Sequence, residues 1–535
     1  MPDKVNTITI DSIFGGQSEF SAFASKDQFL ASHAIDPDQP ITDSSDLSYR
    51  ASGFLRPVPS QQIDSSTTLS AAPMWFVTNP KNASVFVYCA TGSVYSVNPS
   101  GYTIASVTGL DSADSSGNGA EYYDNYLYLA RNGDVARLGP LHSADPVVTT
   151  NYWTGTLAKT ALSNTTYPSL KTANVSLRNH PMHRHSDGKL YFADVVGNQG
   201  YLHYISTTKT TVEGDTNNGS TYQALDFPFG WWPIDIESYG TDLAISLYEG
   251  SNDSTTFQKR AKLTFWDTTS ANYNKVIDVE FPDPIISALQ NVNGVLYTFS
   301  GQLGVKGTRV CRFLGGYTFE QIAFIEDSEP PKQGATDALL NKIIFGGTVE
   351  YVNSATHIPC VWGIGSKTGK FNGLHNVMGC TSSTTASEIT AVKVIEQDGF
   401  NFQIPIIGWT TSSTRGIDRQ TDDYGRISQI FRSQVYRIGR PFKITKIRVP
   451  LCQAVATNMT VVPKVYTDEQ STNYTLTTIN SINYPNGERQ ILFRSDSSSK
   501  PLVAKHSFFI EFTWSGTALL TLGLPIIIEY EILDD

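Results

Sequence analysis

Seven short apolar segments, spread evenly along most of the chain, limit what it can fold into more than any other feature. They are SVFVY at 84–88, YLYLA at 126–130, KLYFA at 189–193, DLAIS at 242–246, VLYTF at 295–299, KIIFG at 342–346 and QIPIIG at 403–408. Turn formers lead into each: Asn82, Asp124-Asn125, Asp187-Gly188, Tyr239-Gly240, Asn293-Gly294, Asn341 and Asp398-Gly399. Apolar runs of this length bounded by Asn, Asp and Gly read as strands entered through tight turns. A repeat of about 40–65 residues, each unit a small antiparallel sheet, is the mark of a β-propeller. The pattern predicts about seven blades, and the same turns admit six or eight.

Composition agrees with an all-β chain. Charged residues are only 17% of the 535, against about 25% in an average globular protein. Ser, Thr, Asn and Gly take their place, which suits strands joined by neutral polar turns. A chain of this length exceeds what one hydrophobic core supports, so two or three domains are expected. The formal net charge of −11 weighs against non-specific nucleic-acid binding. No run of 18 apolar residues occurs, so no membrane insertion is expected. The start, MPDKVNTI, lacks a charged-then-apolar leader. Five widely spaced cysteines (Cys89, Cys311, Cys360, Cys380 and Cys452) contain no CxxC, which leaves buried free thiols as the expectation.

Three regions follow. Residues 1–70 read as an extended arm whose one helical stretch is 25–33, with Ser25 as its N-cap. IDPDQP at 35–40 is too Pro-rich to continue it. Such an arm either laces a domain closed or reaches a neighbouring subunit. Residues 71–425 hold the repeats, with long polar loops at 149–178 and 206–223 where binding functions tend to reside. Residues 426–535 show longer, regularly spaced strands at 433–438, 444–450, 460–466, 490–494, 506–514 and 519–532. These predict an antiparallel, jelly-roll-like β-sandwich.

Four constellations are candidates for chemistry. His183 and His185 share one side of an extended strand and form a weak metal candidate, although no Cys or carboxylate ligand lies nearby in sequence. Asp111, Asp114 and Asn118 supply calcium-type oxygens, but Tyr122 stands where an EF-hand needs its closing acid, and Glu121 falls one place early. Trp231, Trp232, Asp235 and Glu237 form the most aromatic stretch. Exposed indoles there would offer a glycan platform, with the two carboxylates gripping hydroxyls or acting as an acid/base pair; the plainer alternative buries the indoles between blades. Arg426, Arg432, Arg437, Arg440, Lys443, Lys446 and Arg448 give the sandwich a basic face suited to contact with an acidic subunit. No G-x-S-x-G, P-loop or H-E-x-x-H is present, and no cofactor is expected.

Two stretches resemble a known class. GGQSEF at 15–20, IDPD at 35–38, YRASGFLRP at 49–57 and MWFVTN at 74–79 open the chain; FFIEFTW at 508–514 and LPIIIEYEI at 524–532 end it. Together they resemble propeller-plus-sandwich structural proteins of tailed bacteriophages, in layout across nearly the whole chain. The resemblance implies a non-enzymatic virion protein of the tail or tail tip, made in the host cytoplasm. Its expected partners are other tail proteins, copies of itself in a ring or trimer, and a host surface glycan. The rival expectations are a carbohydrate-binding adhesin and a propeller glycoside hydrolase.

Overall fold

A computed structural model describes residues 5–11, 13, 16–17, 28–33, 35, 54–55, 57, 60–65, 68–99, 101–107, 116–131, 135–142, 146–153, 180–196, 199–206, 224–249, 260–270, 273, 276–302, 305–316, 318–350, 357–365, 373–382, 387–396, 403–421, 429–452, 454–468, 472–484, 490–493, 502–516 and 520–533. Among these residues there is no α-helix, and every regular element is a strand.

Seven four-stranded antiparallel sheets follow one another along the chain. Their innermost strands are Pro73–Thr78, Ser116–Tyr123, Met182–Arg184, Trp231–Tyr239, Ile285–Val292, Thr336–Leu339 and Glu388–Glu396, which number blades 1 to 7. Each of the seven apolar segments of the sequence is the second strand of a blade, from Val85–Cys89 in blade 1 to Gln403–Thr410 in blade 7. That strand has neighbours on both edges and blades on both faces, so it is mostly apolar. The turn before it carries the strain of a tight hairpin. Asn293 and Gly294 both have positive φ, 52° and 83°, as a type I′ turn requires.

The blades close into a ring. A separate apolar core fills each of the seven seams, drawing residues from two successive blades: 1 with 2, 2 with 3, and so on to 6 with 7. The seventh core joins Ala391, Ile395, Ile406 and Ile417 of blade 7 to Phe76, Val85 and Val87 of blade 1. Two second-strand glycines permit this packing. A Cβ on Gly346 would lie 2.7 Å from Ile389, and one on Gly408 would lie 2.7 Å from Pro73. Each stands against the inner strand of the following blade.

The last blade takes its outermost strand from the other end of the chain. Ser60–Ser65 pairs antiparallel with Arg415–Gln420. Three contacts of blade 7 reinforce the seam. Arg419 donates to Gln61 (2.6 Å) and lies over the Tyr102 ring of blade 1 (4.1 Å), while Arg415 donates to the Leu69 carbonyl (2.7 Å).

The remaining strands make a five-stranded and a seven-stranded sheet, whose inner faces share one core, and a two-stranded pair of Phe54–Leu55 with Leu522–Gly523. Phe442, Ile447, Ile526 and Ile528 come from the first sheet, and Phe431, Val465, Ile510 and Phe512 from the second. Two described stretches of the expected arm belong to these sheets. Asn6–Ile10 pairs with Ile526–Ile532, and Gln28–His33 pairs with Gln429–Ser433. The helix expected over 25–33 is therefore incorrect where the structure describes it. Phe29 is buried against Phe431, with ring centroids 5.4 Å apart, and an edge offering ladder hydrogen bonds overrides a weak local helical preference. The single strand expected over 519–532 is instead two, Leu522–Gly523 and Ile526–Ile532, split at Pro525, which has no N–H for a ladder. The two bodies meet where Gln17 donates its N–H to the Leu374 carbonyl beside blade 6 (2.6 Å).

Candidate functional site on the inner blade strands

An innermost blade strand is a sheet edge, so half of its backbone groups lack a ladder partner. Buried groups of that kind need one. In this ring the preceding blade often supplies it. Asp235 of blade 4 accepts from the N–H of Leu289 in blade 5 (2.8 Å), and Glu237 accepts from Asn291 N–H (3.3 Å). Asp337 of blade 6 accepts from Val394 N–H in blade 7 (2.7 Å) and holds the Lys393 amine at 3.2 Å. Side chains cross other seams too. The Trp75 indole donates to Gly117 O (2.9 Å), Thr336 Oγ1 to Gln290 Oε1 (3.1 Å), and Thr390 Oγ1 to Pro73 O (2.5 Å).

The seam between blades 3 and 4 is the most polar. Ser238 Oγ lies 2.7 Å from His183 Nε2 and 2.8 Å from His185 Nδ1. His185 Nε2 is 3.0 Å from the Thr241 carbonyl, which can only accept. That contact makes His185 Nε2–H the donor to Thr241; with a neutral His185, Ser238 O–H donates to His185 Nδ1 and His183 Nε2–H donates to Ser238 Oγ. Glu237 Oε1 stands 3.4 Å from the same His183 nitrogen and accepts from Ser238 N–H (2.8 Å). Glu121, from blade 2, completes the group by its electrostatic coupling to His183.

These side chains are partly enclosed, 14% exposed for Glu237 and 31% for Lys393. The surrounding walls weigh against charge. Burial raises the Glu237 carboxyl to about 7, although the Ser238 and Asn291 N–H groups oppose this. Burial also lowers His183 to about 4 and raises Glu121. Lys393 is raised, chiefly by Asp337. What results is a girdle of hydrogen-bonded, mutually coupled groups on the inner strands of blades 2, 3, 4, 6 and 7.

The sequence candidates fare unequally. His183, His185 and Glu237, drawn from two motifs some fifty residues apart, meet at Ser238, whereas Asp235 turns to the Leu289 N–H of blade 5. They bond blade to blade there, and both imidazoles are engaged. Among the described residues no three of His, Cys, Asp and Glu gather as a metal cage. The glycan platform needs correction. Trp232 is completely buried beside Tyr248, and Trp231 is partly buried with the Lys262 amine 4.3 Å from its ring centre. Both indoles are occupied by their own chain, because the strand carrying them is the inner edge of blade 4. Asp235 and Glu237 bind backbone, so neither is free to grip a hydroxyl.

The basic face is largely neutralised within its own sheets. Arg448 lies 2.7 Å from Glu529, Lys446 4.0 Å from Glu529, and Lys443 4.0 Å from Glu531, on the adjacent strand. Arg432 is buried in an ion pair with Glu511 (2.9 Å) and so is no surface contact. Arg437 and Arg440 are exposed. Arg426, Asp111, Asp114 and the loop segments 154–179 and 207–223 lie outside the described residues.

Sequence reasoning missed Ser238, Asp337 and Lys393. A positional signal was present. Glu121, Glu237, Gln290 and Asp337 each stand two residues before the end of an inner strand, ahead of the first hairpin turn. The cysteines are free, as their spacing suggested, and burial pushes the Cys311 thiol up to about 11.

No family model matches the chain, and no curated protein matches it. Among solved structures it is similar to the Pan2 WD40 domain of Neurospora crassa, at 9% identity and a TM-score of 0.40, covering 68% of this chain and 95% of that one. It is also similar to the Cps50 (Swd1) β-propeller domain of Myceliophteria thermophila, at 10% identity and a TM-score of 0.40, covering 66% and 99%. A third is the Dos1 propeller, at 10% identity and a TM-score of 0.38, covering 68% and 95%.

Proposed function

We propose that this chain is a non-enzymatic structural component of a phage virion, placed in the tail or tail tip, that acts by being held and by making contact. One observation carries the mechanical part of the reading. The first 65 residues contribute strands to the five-stranded sheet, the seven-stranded sheet and blade 7, so both bodies are laced by one end of the chain. Opening either body requires breaking a sheet as well as a surface contact, which suits a particle part that must bear load. The fate of the inner-strand ionisable groups supports the non-catalytic part. Asp235, Glu237 and Asp337 bind backbone of the following blade, so these carboxyl groups serve to join one blade to the next.

The virion placement rests on the sequence resemblance. It brings other tail proteins and further copies of the chain as partners, with the loops at 149–178 and 206–223 as the surfaces for host contact. Peptide mass spectrometry of density-purified particles tests it. The chain is expected in fixed stoichiometry to the other tail proteins. Its recovery only in the soluble lysate, with none in particles, overturns the reading.

A further inference from the structure

Basic side chains of the two larger sheets are paired within the chain, Arg432 with Glu511, Arg448 with Glu529 and Lys443 with Glu531. Arg437, Arg440 and Lys505 are exceptions. All three are exposed, and among the described residues none has an ion-pair partner. Strand pairing and turn contacts gather them at one end of the sheets. Arg437 pairs opposite Ser507, and the N–H groups of Ile438 and Gly439 donate to the His506 carbonyl (2.8 and 3.2 Å). Asp468 accepts from the N–H groups of Lys505, His506 and Ser507 (2.8, 2.8 and 3.3 Å). That carboxylate holds the loop in place, and Asp11 also stands nearby, coupled to Tyr436. Exposed apolar surface accompanies the charge. Val503 and Ile532, each 38% exposed, pair opposite Lys443 and Phe442, just after the Arg440–Pro441 turn. Val5, 50% exposed, precedes the pair of Asn6 with Tyr530 on the same sheet. Apolar residues beside arginines suit a protein surface better than a sugar or nucleic-acid chain.

The chain itself carries the complement. Its net charge is −11, so its surface away from this end is acidic on balance. One acidic turn, between blades 5 and 6, is built as firmly as the basic end. Ser328 there is completely buried. Its carbonyl accepts from Gly307 N–H (2.9 Å) and Thr308 Oγ1 (2.8 Å), and its hydroxyl oxygen accepts from Thr348 N–H (3.1 Å). The flanking Glu329 is thereby held exposed and Asp327 partly exposed, neither with an ion-pair partner among the described residues. Val305, 45% exposed, lies two residues before Gly307, and Glu326 adds a further acid against the single Lys306. We infer that the basic end formed by Arg437, Arg440 and Lys505 docks on the Asp327–Glu329 turn of a second copy of this chain. Two different surfaces meet, so the contact is heterologous and joins copies head to tail. This names the contact between the copies proposed above as partners, and it rests on that reading only for its place in a particle.

Sedimentation velocity of the purified full chain is the test, which keeps failure here separate from absence of the chain from particles. The wild type is expected to associate at about 50 mM salt and to come apart at about 500 mM, as the charges are screened. Two neutralised variants follow: Arg437→Gln with Arg440→Gln and Lys505→Gln, and Asp327→Asn with Glu329→Gln. Each alone is expected to associate at least about tenfold more weakly than the wild type. Mixed, they are expected to form one-to-one dimers and nothing larger, because the intact acidic turn of the first meets the intact basic end of the second. Dimers in the mixture also show that both variants are folded. A wild type that stays monomeric at low salt overturns the inference, and so does association that either variant leaves unchanged. A mixture with no dimer overturns the head-to-tail contact. Heparin binding that disappears in the first variant, from a chain monomeric throughout, assigns the basic end to a polyanion and overturns it too.

Discussion

Ser238 is the residue on which the polar seam turns, because one hydroxyl serves two imidazoles at 2.7 and 2.8 Å. Ser238→Ala leaves His185 Nδ1 without its donor and His183 Nε2–H without its acceptor. Loss of partners by half-buried and buried polar groups costs about 1–3 kcal/mol, and a lower urea midpoint with an unchanged slope is the expected result. The tryptophans divide by burial. Trp232→Ala empties a fully enclosed site and is expected to cost about 3–5 kcal/mol. Trp231→Ala removes a ring beneath Lys262 and is expected to cost about 1–2 kcal/mol. Equal losses at the two positions in chemical denaturation contradict this division of one indole inside and one at the rim. Trp232→Ala is not expected to change glycan-array binding, since Trp232 presents no surface to a sugar.

At the scale of elements, the closing strand Ser60–Ser65 is the most consequential piece. Without it Arg415–Gln420 becomes a raw edge, Arg419 loses Gln61 and blade 7 is left with three strands. A chain in which residues 60–65 alone are replaced by a Gly/Ser linker is expected to be cut by protease first within blade 7 or blade 1, and cleavage starting elsewhere argues against closure at this seam. The composition of the strands explains why some were legible in the sequence. Each second strand is enclosed on all sides, so YLYLA and VLYTF announce themselves, and their turns carry Asn, Asp and Gly because positive φ demands it. SQQIDS at 60–65 covers an outer edge, and its polar residues carry no strand signature. Gln28–His33 misled for a related reason: QFLASH has helical residues, and only the distant partner Gln429–Ser433 makes it a strand. The girdle was half visible. The H-x-H and D-x-E motifs marked the right residues, but their common target depends on a seam between blades that no local pattern encodes.

For the whole molecule, strands drawn from one chain end into both bodies mean that the two stand or fall together. Phe29→Ala removes a buried ring from the core beneath the seven-stranded sheet and is expected to cost about 3–5 kcal/mol. The loss is expected to appear in one cooperative transition that reports on the ring as well. Two separate transitions, with tryptophan fluorescence from the blades unaffected by the substitution, contradict the coupling. The decisive experiment is cryo-EM of purified tailed particles from a host producing this chain. Tail density is expected to be fitted by a closed ring of seven four-stranded blades, with residues 60–65 as the outermost strand of the last. Tails in which no such ring is found refute the virion role.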